Sequence, residues 1–210
     1  MTKHYGVFVC IEGIDGSGKT TQAHRLVEFL RKLGYDATYT TEPSKGVYGK
    51  IMHKHILHRD NRVPSIVEAV FFATDRLDHI KREIEPLLKQ GKIIVCDRYL
   101  YSSIAYQGAA NLDTEWIKKI NKHALKPDLA IYIDIPPEIL ITRLKRRRKT
   151  VMETLENQRK VRDQYLKLVK QEQLIKIYGN TSKREVANVI QNLVLNFLQK
   201  HAKPPLHSQV

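Results

Sequence analysis

The fold of this chain is decided by Gly13-Ile14-Asp15-Gly16-Ser17-Gly18-Lys19-Thr20. The stretch matches the phosphate-loop pattern G-x-x-x-x-G-K-[ST], follows an apolar run and opens a segment of helical periodicity. In such a strand–loop–helix unit, backbone N–H groups turn toward phosphate oxygens and the helix points its positive end at the same anion. The stretch therefore predicts a nucleoside triphosphate site, with Lys19 at the β- and γ-phosphates and the Thr20 hydroxyl on Mg²⁺.

Five short runs predict five strands. The run at 92–96 is continuously apolar from Ile93 on, which is typical of a strand buried on both faces of a parallel sheet. Because helical patterns separate the runs, we expect an α/β fold with a five-stranded parallel sheet, helices on both faces and right-handed crossovers. The expected strands cover residues 6–11, 35–41, 92–96, 128–134 and 174–178.

Helical periodicity fills the segments between these runs. Pro64 is expected in the first turn of a long helix that Pro86 interrupts and Gly91 ends, and Asp113 is a candidate N-cap. One helix is expected to start at Pro136 or Pro137. The other expected helices cover residues 20–33, 49–58, 101–108, 114–123, 153–172 and 183–199.

Polar residues stand at the carboxyl ends of the expected strands. These positions are the phosphate loop, Glu42, Asp97-Arg98 and Asp134. In open parallel sheets, ligands bind outside the carboxyl ends of the strands. We therefore expect these groups to meet in one crevice.

Length and composition favour one globular domain. The chain has 210 residues, of which 42% are hydrophobic and 28% charged. We expect a single domain over residues 1–200 and a flexible tail over residues 201–210. The sequence shows neither a signal-peptide pattern nor an apolar stretch of membrane-spanning length, so we expect a soluble, cytoplasmic protein with Cys10 and Cys96 as free buried thiols.

The formal net charge of +14 has two interpretations. A basic surface suits nucleic acid, but it also suits a site that collects small polyanions. Six positive charges lie within residues 143–149, and no nucleic-acid-binding motif accompanies them. We interpret the cluster as a basic lid over about residues 143–153, with a solvated charge run as the alternative. The base-reading sequence N-K-x-D of GTPases is absent.

Three segments resemble, in order and spacing, the successive motifs of the thymidylate kinase family. They are Glu-Gly-Ile-Asp-Gly-Ser-Gly-Lys-Thr-Thr-Gln at 12–22, Phe-Ala-Thr-Asp-Arg at 72–76, and Asp-Arg-Tyr at 97–99 followed by Ser-Ser-Ile-Ala-Tyr-Gln-Gly at 102–108. The resemblance extends from Val7 to about Leu198. It implies a P-loop NTPase fold, transfer of the ATP γ-phosphate to dTMP with Mg²⁺, and a homodimer formed through helix faces such as that of residues 64–80.

The resemblance also implies an acceptor site. Phe72 would stack on the thymine ring, Arg76 would bind a base carbonyl, Arg98 would clamp the monophosphate, and Asp15 would hold the sugar 3′-hydroxyl. Two alternatives stay open, since Phe72 could be a core aromatic and Arg98 could pair with a neighbouring acid. The other implied pocket residues are Ser103, Tyr106 and Gln107, with Gln107 at the pyrimidine edge.

On the donor side, the resemblance implies a role for Asp97 near Mg²⁺, through water, and for Arg143 at the adenine or the ATP phosphates. Some relatives carry an arginine in the phosphate loop where this chain has Gly16. Those without it take a transition-state arginine from the lid. The candidates for this arginine are Arg146, Arg147 and Arg148. Lys19 and Arg98 are the other expected catalytic residues.

Two positions depart from the family pattern. Relatives often have arginine where this chain has Thr41, and often place another near His53. The acceptor-phosphate site is then weaker or pH-sensitive unless Lys45 or Lys50 substitutes. The nearest alternative is therefore a kinase accepting dUMP, other monophosphates or a nucleoside, and the alternative from another class is a P-loop protein that binds nucleic acid.

Overall fold

The computed structural model describes residues 6–57, 63–144 and 155–201. Its five strands form one parallel sheet in the order β2-β3-β1-β4-β5. The predicted α/β class and five-stranded parallel sheet are confirmed. The strands are β1 (Val7–Glu12), β2 (Ala37–Thr41), β3 (Ile93–Asp97), β4 (Leu129–Asp134) and β5 (Ile175–Tyr178).

The helices follow the predicted order with small differences in their bounds. Asp113 caps α6 as predicted, because its side chain accepts the N–H of Glu115. The helices are α1 (Lys19–Lys32), α2 (Val47–Ile51), α3 (Ser65–His79), α4 (Glu85–Lys89), α5 (Leu100–Ala109), α6 (Thr114–Ile120), α7 (Pro137–Leu144), α8 (Leu155–Lys170) and α9 (Lys183–Lys200). A π-helical turn extends α2 over Met52–Ile56, and another joins α3 to α4 over Ile80–Ile84.

The prediction that Pro86 interrupts the long helix differs from the structure. At the π-helical turn, the N–H of Glu85 donates to the carbonyl of Ile80, five residues back. Pro86 then lies in the first turn of α4, where a missing N–H is tolerated. The chain stays helical to Lys89, and Gly91 follows with φ 82°. A widened turn therefore accommodates the proline.

The three inner strands, β1, β3 and β4, are buried along their whole length. α1 packs against α9, and α5 packs against α8. Cys10 and Cys96 are free and buried, as predicted, and lie opposite each other in register on β1 and β3. Burial raises the pKa of both thiols. Within the described ranges, no helix has the length and apolar character needed to cross a membrane.

The strand order positions the site. Because β1 and β3 are neighbours, the residues that follow them leave the sheet side by side. The phosphate loop follows β1, and Asp97 ends β3 with Arg98 directly after it. The fold therefore brings two of the predicted polar groups together across about 80 residues of chain.

Candidate active site

The phosphate loop lies between β1 and α1, and its backbone needs glycine. Gly13 has φ 156°, and a Cβ added there would come 2.5 Å from the Ser17 hydroxyl. Gly18 has φ 93°, in the left-handed region that favours glycine, and directly precedes α1. The loop thus closes tightly on itself and places the N-terminus of a long helix behind it. This is the geometry that binds a phosphate.

Lys19 is buried beneath this loop. Its Nζ donates to the carbonyl of Ile14 at 2.9 Å, which holds the ammonium inside the curve of the loop. Burial and then the Arg98 charge lower the pKa of Lys19 to about 8, against the opposing effect of Asp15, Asp97 and Glu12. The ammonium is therefore poorly solvated, and a phosphate would restore its missing partners.

Thr20 and Asp97 meet at the start of α1. The Thr20 hydroxyl donates to Oδ2 of Asp97, and Oδ1 of Asp97 is buried without a hydrogen-bond partner among the described residues. A hydroxyl that donates its proton keeps lone pairs for a metal, and Mg²⁺ prefers such oxygen ligands. In the described ranges, no three His, Cys, Asp or Glu side chains cluster as a metal site. The pair fits an ion that is bound partly by a nucleotide.

Arg98 has a left-handed backbone conformation that orients its side chain. Its φ is 69°, and its N–H donates to the carbonyl of Ile11 at 3.1 Å. The guanidinium forms an ion pair with Asp15 and donates to Ser102 and Tyr106 at 3.2 and 3.3 Å. Burial raises the pKa of Asp15, but Arg98 and Lys19 outweigh it and the net shift is downward. Of the two interpretations of Arg98, the structure has the ion pair with a neighbouring acid.

Glu12 supports this arrangement from below. It is fully buried at the end of β1 and accepts the N–H of Tyr99 at 2.8 Å and the hydroxyls of Ser102 and Tyr165 at 2.6 and 2.9 Å. Burial raises the pKa of Glu12, although these hydrogen bonds and Arg98 oppose the rise. Ser102 links this cluster to the Arg98 guanidinium. Tyr165 brings α8 into contact with the site.

Arg76 is enclosed by protein groups. Only 1% of the residue is exposed, and its Nε donates to Oε2 of Glu42 at 2.9 Å. Its Nη2 donates to the Ser103 hydroxyl at 3.0 Å, its Nη1 donates to Oδ1 of Asn121 at 2.5 Å, and the guanidinium carbon lies 5.3 Å from the centre of the Tyr99 ring. The structure thus brings together two predicted site residues, Arg76 and Ser103. The Arg76 guanidinium is already paired with Glu42.

His79 completes the Glu42 cluster. Its Nδ1 lies 3.3 Å from Oε1 of Glu42, and its Nε2 lies 2.8 Å from the Thr40 hydroxyl and 3.6 Å from Glu83. Burial lowers the pKa of His79, but Glu42 and Glu83 outweigh it and raise it to about 9. The imidazole is therefore protonated at neutral pH, and Glu42 lies between two cations.

The other predicted pocket residues lie on α3 and α5. Phe72 is half-buried, so it is not a fully enclosed core aromatic. Gln107 is buried, and its Nε2 donates to Oε1 of Glu68 at 3.0 Å. Its Oε1 has no hydrogen-bond partner in the part of the chain that the structure describes. Gln107 therefore presents a spare acceptor.

The remaining predicted positions either bind protein groups, are exposed, or have side chains that the structure does not describe. Asp134 does end β4, but both its oxygens are bound by Arg162 at 2.7 and 3.0 Å. Thr41 donates to the backbone carbonyl of Asp97, and His53 is exposed on the first π-helical turn. Arg143 lies in the last turn of α7, and its side chain is outside the description. Arg146, Arg147 and Arg148 lie outside the described residues.

Sequence reasoning missed four supporting residues. His79 lies three positions after Arg76 on the same helix, so helical spacing offered a signal for it. Glu12 directly precedes the phosphate loop. Asn121 and Tyr165 are distant in sequence from the groups they bind, and no motif marks them.

Comparison with known proteins agrees with this geometry. The family model described as Thymidylate kinase matches residues 11–190. A probable thymidylate kinase of Pyrococcus abyssi is 46% identical over 169 residues, covering 78% of this chain and 82% of the relative. Those of Staphylothermus marinus and Methanocaldococcus jannaschii are each 40% identical, covering 94% and 92% of this chain and 99% and 96% of the relatives. The chain belongs to the thymidylate kinase family.

Proposed function

We propose that this chain transfers the γ-phosphate of ATP to dTMP, giving ADP and dTDP. One observation carries the proposal: Arg98 and Asp15 pair directly beside Lys19 and the Thr20–Asp97 contact. A loop built for a triphosphate thus adjoins a guanidinium built for a second phosphate. Phosphoryl transfer needs this juxtaposition of donor and acceptor.

On the donor side, the loop N–H groups and Lys19 bind the β- and γ-phosphates. The ammonium exchanges its bond to the carbonyl of Ile14 for phosphate oxygens, whose negative charge stabilises the protonated lysine. Thr20 and Asp97 would hold Mg²⁺, which when bound neutralises charge on the phosphates. These groups stabilise the charge that spreads over the transferred phosphoryl group.

On the acceptor side, Arg98 is the phosphate clamp. Its planar fork binds a phosphate in bidentate fashion, and Ser102 and Tyr106 keep the fork oriented. When dTMP displaces the Arg98–Asp15 pair, Asp15 becomes free to accept the sugar 3′-hydroxyl. No strong general base is needed, since the attacking group is already an anionic phosphate.

Base recognition falls to Phe72, Arg76 and Gln107. The half-buried Phe72 ring offers a stacking surface. The free Oε1 of Gln107 suits an N–H donor such as the ring N3–H of thymine or uracil, whereas N3 of cytosine is itself an acceptor. These groups favour a 2,4-dioxo pyrimidine.

The remaining positive charge comes from the segment between α7 and α8. We assign Arg143 to the ATP side and one of Arg146, Arg147 and Arg148 to the transition state. The support is the sequence: the phosphate loop has Gly16 in place of an arginine, and the basic cluster directly follows α7. Alanine at the responsible position should lower kcat far more than ATP affinity, and unchanged turnover in all three variants would refute the assignment.

The assembly and location of the enzyme are also proposals. We propose a homodimer because α3 exposes an apolar stripe, with Ile66, Val67 and Val70 between 38% and 51% exposed, beside exposed apolar residues of α2. We place the enzyme in the cytoplasm, where reducing conditions suit two free cysteines.

The test is ADP release with ATP and Mg²⁺, offering dTMP, dUMP, dCMP, dGMP and thymidine in parallel. Turnover strongest with dTMP is expected. Comparable turnover with several monophosphates would support the broader kinase and point to Thr41 and His53 as the cause. No turnover with any acceptor, together with DNA binding that weakens steeply with salt, would overturn the proposal in favour of nucleic-acid binding.

A further inference from the structure

Asn121 contacts Arg76 from the C-terminal end of α6. It directly follows the helix, lies 45 residues from Arg76 in sequence and is 4% exposed. No motif of the sequence includes it. A buried amide on a buried guanidinium has a strong charge-assisted hydrogen bond, so its placement has consequences for what the guanidinium can bind.

The orientation of the Asn121 amide is fixed from the other side. Its Nδ2 donates to the carbonyl of Ile117 at 2.8 Å. A backbone carbonyl only accepts hydrogen bonds, so the amide cannot flip without losing this contact. Oδ1 must therefore face Arg76, and the hydrogen bond to the α6 backbone fixes the position of this acceptor oxygen.

The contacts of Arg76 then account for almost all its donors. A guanidinium carries five N–H groups. Nε and one N–H of Nη2 face Oε2 of Glu42 at 2.9 and 2.8 Å, and the second N–H of Nη2 reaches Ser103. One N–H of Nη1 is taken by Asn121. Among the residues that the structure describes, the other N–H of Nη1 has no partner.

We propose that Asn121 is a positioning residue for base selectivity: it holds Arg76 so that a single Nη1 N–H is left for the acceptor base. A lone, rigidly held donor pairs with a carbonyl oxygen at the base edge and is repelled by an exocyclic amino group. Asn121 therefore favours thymine and uracil over cytosine. This inference rests on the proposed function and goes beyond it in assigning selectivity to a residue that need not touch the substrate.

Without Asn121, the guanidinium loses the constraint on Nη1. Both Nη1 donors become free, and the group can turn about its remaining contacts with Glu42 and Ser103. The base carbonyl of dTMP then pairs with a less well-ordered Arg76 donor and binds more weakly. The amino group of dCMP is repelled less, because the mobile guanidinium can move away from it. Affinity for dTMP should fall and discrimination against dCMP should shrink, with little change in the phosphoryl-transfer step.

The experiment compares kcat and KM for dTMP, dUMP and dCMP in the wild type and in Asn121→Ala, Asn121→Leu and Asn121→Asp, with melting temperatures. Asn188→Ala, at an exposed position of α9, is the matched control. Asn121→Ala should raise KM for dTMP about tenfold, leave kcat within about threefold, and reduce selectivity over dCMP about tenfold. Asn121→Asp keeps the acceptor for Arg76 but loses the donor to Ile117, so it should restore most of the affinity at a lower melting temperature.

The outcomes separate this inference from the proposed function. Wild type and Asn188→Ala inactive with dTMP would overturn the proposed function and this inference with it. An active wild type whose KM and selectivity survive Asn121→Ala overturns the inference alone. The inference is also overturned if the alanine and aspartate variants lose affinity for dTMP equally and in proportion to their loss of melting temperature. That result would mean that Asn121 has only a structural role. Asn121→Leu keeps the side-chain volume and decides the matter if the alanine variant does not fold.

Discussion

Arg98 and Asp15 form an ion pair between the end of β3 and the phosphate loop, 83 residues apart in sequence. The pair joins the two halves of the site. It also occupies the guanidinium that we assign to the acceptor phosphate. On that assignment, binding of dTMP exchanges one anion for another on Arg98, a replacement that costs less than desolvating a free arginine.

Replacing Arg98 tests this clamp. Arg98→Ala should lower kcat/KM for dTMP roughly 100-fold or more, because it removes charged hydrogen bonds to the acceptor. Arg98→Lys keeps the charge but not the fork, so a smaller loss is expected. Steady-state ADP release measures both. Arg82→Ala, which removes a guanidinium that is 70% exposed, is the control, and an Arg98→Ala enzyme no worse than that control would contradict the assignment.

Removing the Thr20 hydroxyl tests the metal site. Thr20→Val should raise the Mg²⁺ concentration needed for half-maximal rate about tenfold, since a ligand to the ion and the partner of Asp97 are both lost. Mg²⁺ titration of ADP release gives the value. Thr38→Val on β2 serves for comparison, and identical Mg²⁺ curves for the two variants would exclude Thr20 as a ligand.

The lowered pKa of Lys19 predicts a pH limit on ATP capture. In the free enzyme, the lysine loses its proton as pH rises through about 8, so kcat/KM for ATP should fall above that pH. Bound phosphates favour the ammonium, so kcat should persist to higher pH. Lys19→Arg keeps its charge at high pH and should abolish the fall in kcat/KM above pH 8. Lys32→Arg, at an exposed position of the same helix, should leave this fall unchanged. If kcat/KM still falls in Lys19→Arg, another group is responsible for the fall.

His79 predicts how stability depends on pH. Its folded pKa of about 9 is above the ordinary 6.5, so its stabilising effect is complete below pH 6.5 and disappears as pH rises through 9. Relative to His79→Gln, the wild type should lose roughly 3 kcal/mol of unfolding free energy across that window. Urea unfolding at several pH values measures the difference, in which groups shared by both proteins, such as Lys19, cancel. Parallel pH curves would mean that His79 is not charged in the fold.

Exposed apolar residues of α3 predict the oligomeric state. Sedimentation equilibrium should give twice the chain mass of 24.4 kDa for the wild type. Val70→Glu places a charge in the stripe and should shift the mass toward one chain. Val189→Glu, at a valine of α9 that is 51% exposed, should not. A wild type that sediments as a single chain at micromolar concentration would refute the dimer.

The local features of the site could be predicted from sequence because they depend on short-range constraints. The phosphate loop needs glycines at fixed spacing, and a buried parallel strand such as β3 needs a continuous apolar run. Neighbouring strands then bring their ends together without further information. This explains why the phosphate loop and Asp97-Arg98 could be expected from pattern alone to lie side by side.

Contacts between distant side chains could not be predicted in the same way. The partners of Arg76 follow β2, lie on α5 and follow α6, and their meeting depends on how those elements pack. Likewise, the helical continuation from α3 into α4 past Pro86 depends on one hydrogen bond of Glu85 that hydrophobic periodicity does not encode. Tertiary packing, rather than local preference, decides both features.

The backbone of Arg98 has a final consequence for how the protein evolves and is engineered. A non-glycine residue at φ 69° costs about 1 kcal/mol or more, which glycine would recover. Glycine would also remove the ion pair with Asp15 and the hydrogen bonds to Ser102 and Tyr106, which hold the backbone in this conformation. A stabilisation screen that replaces left-handed residues by glycine should therefore leave position 98 out, because the side chain's own contacts offset the strain there.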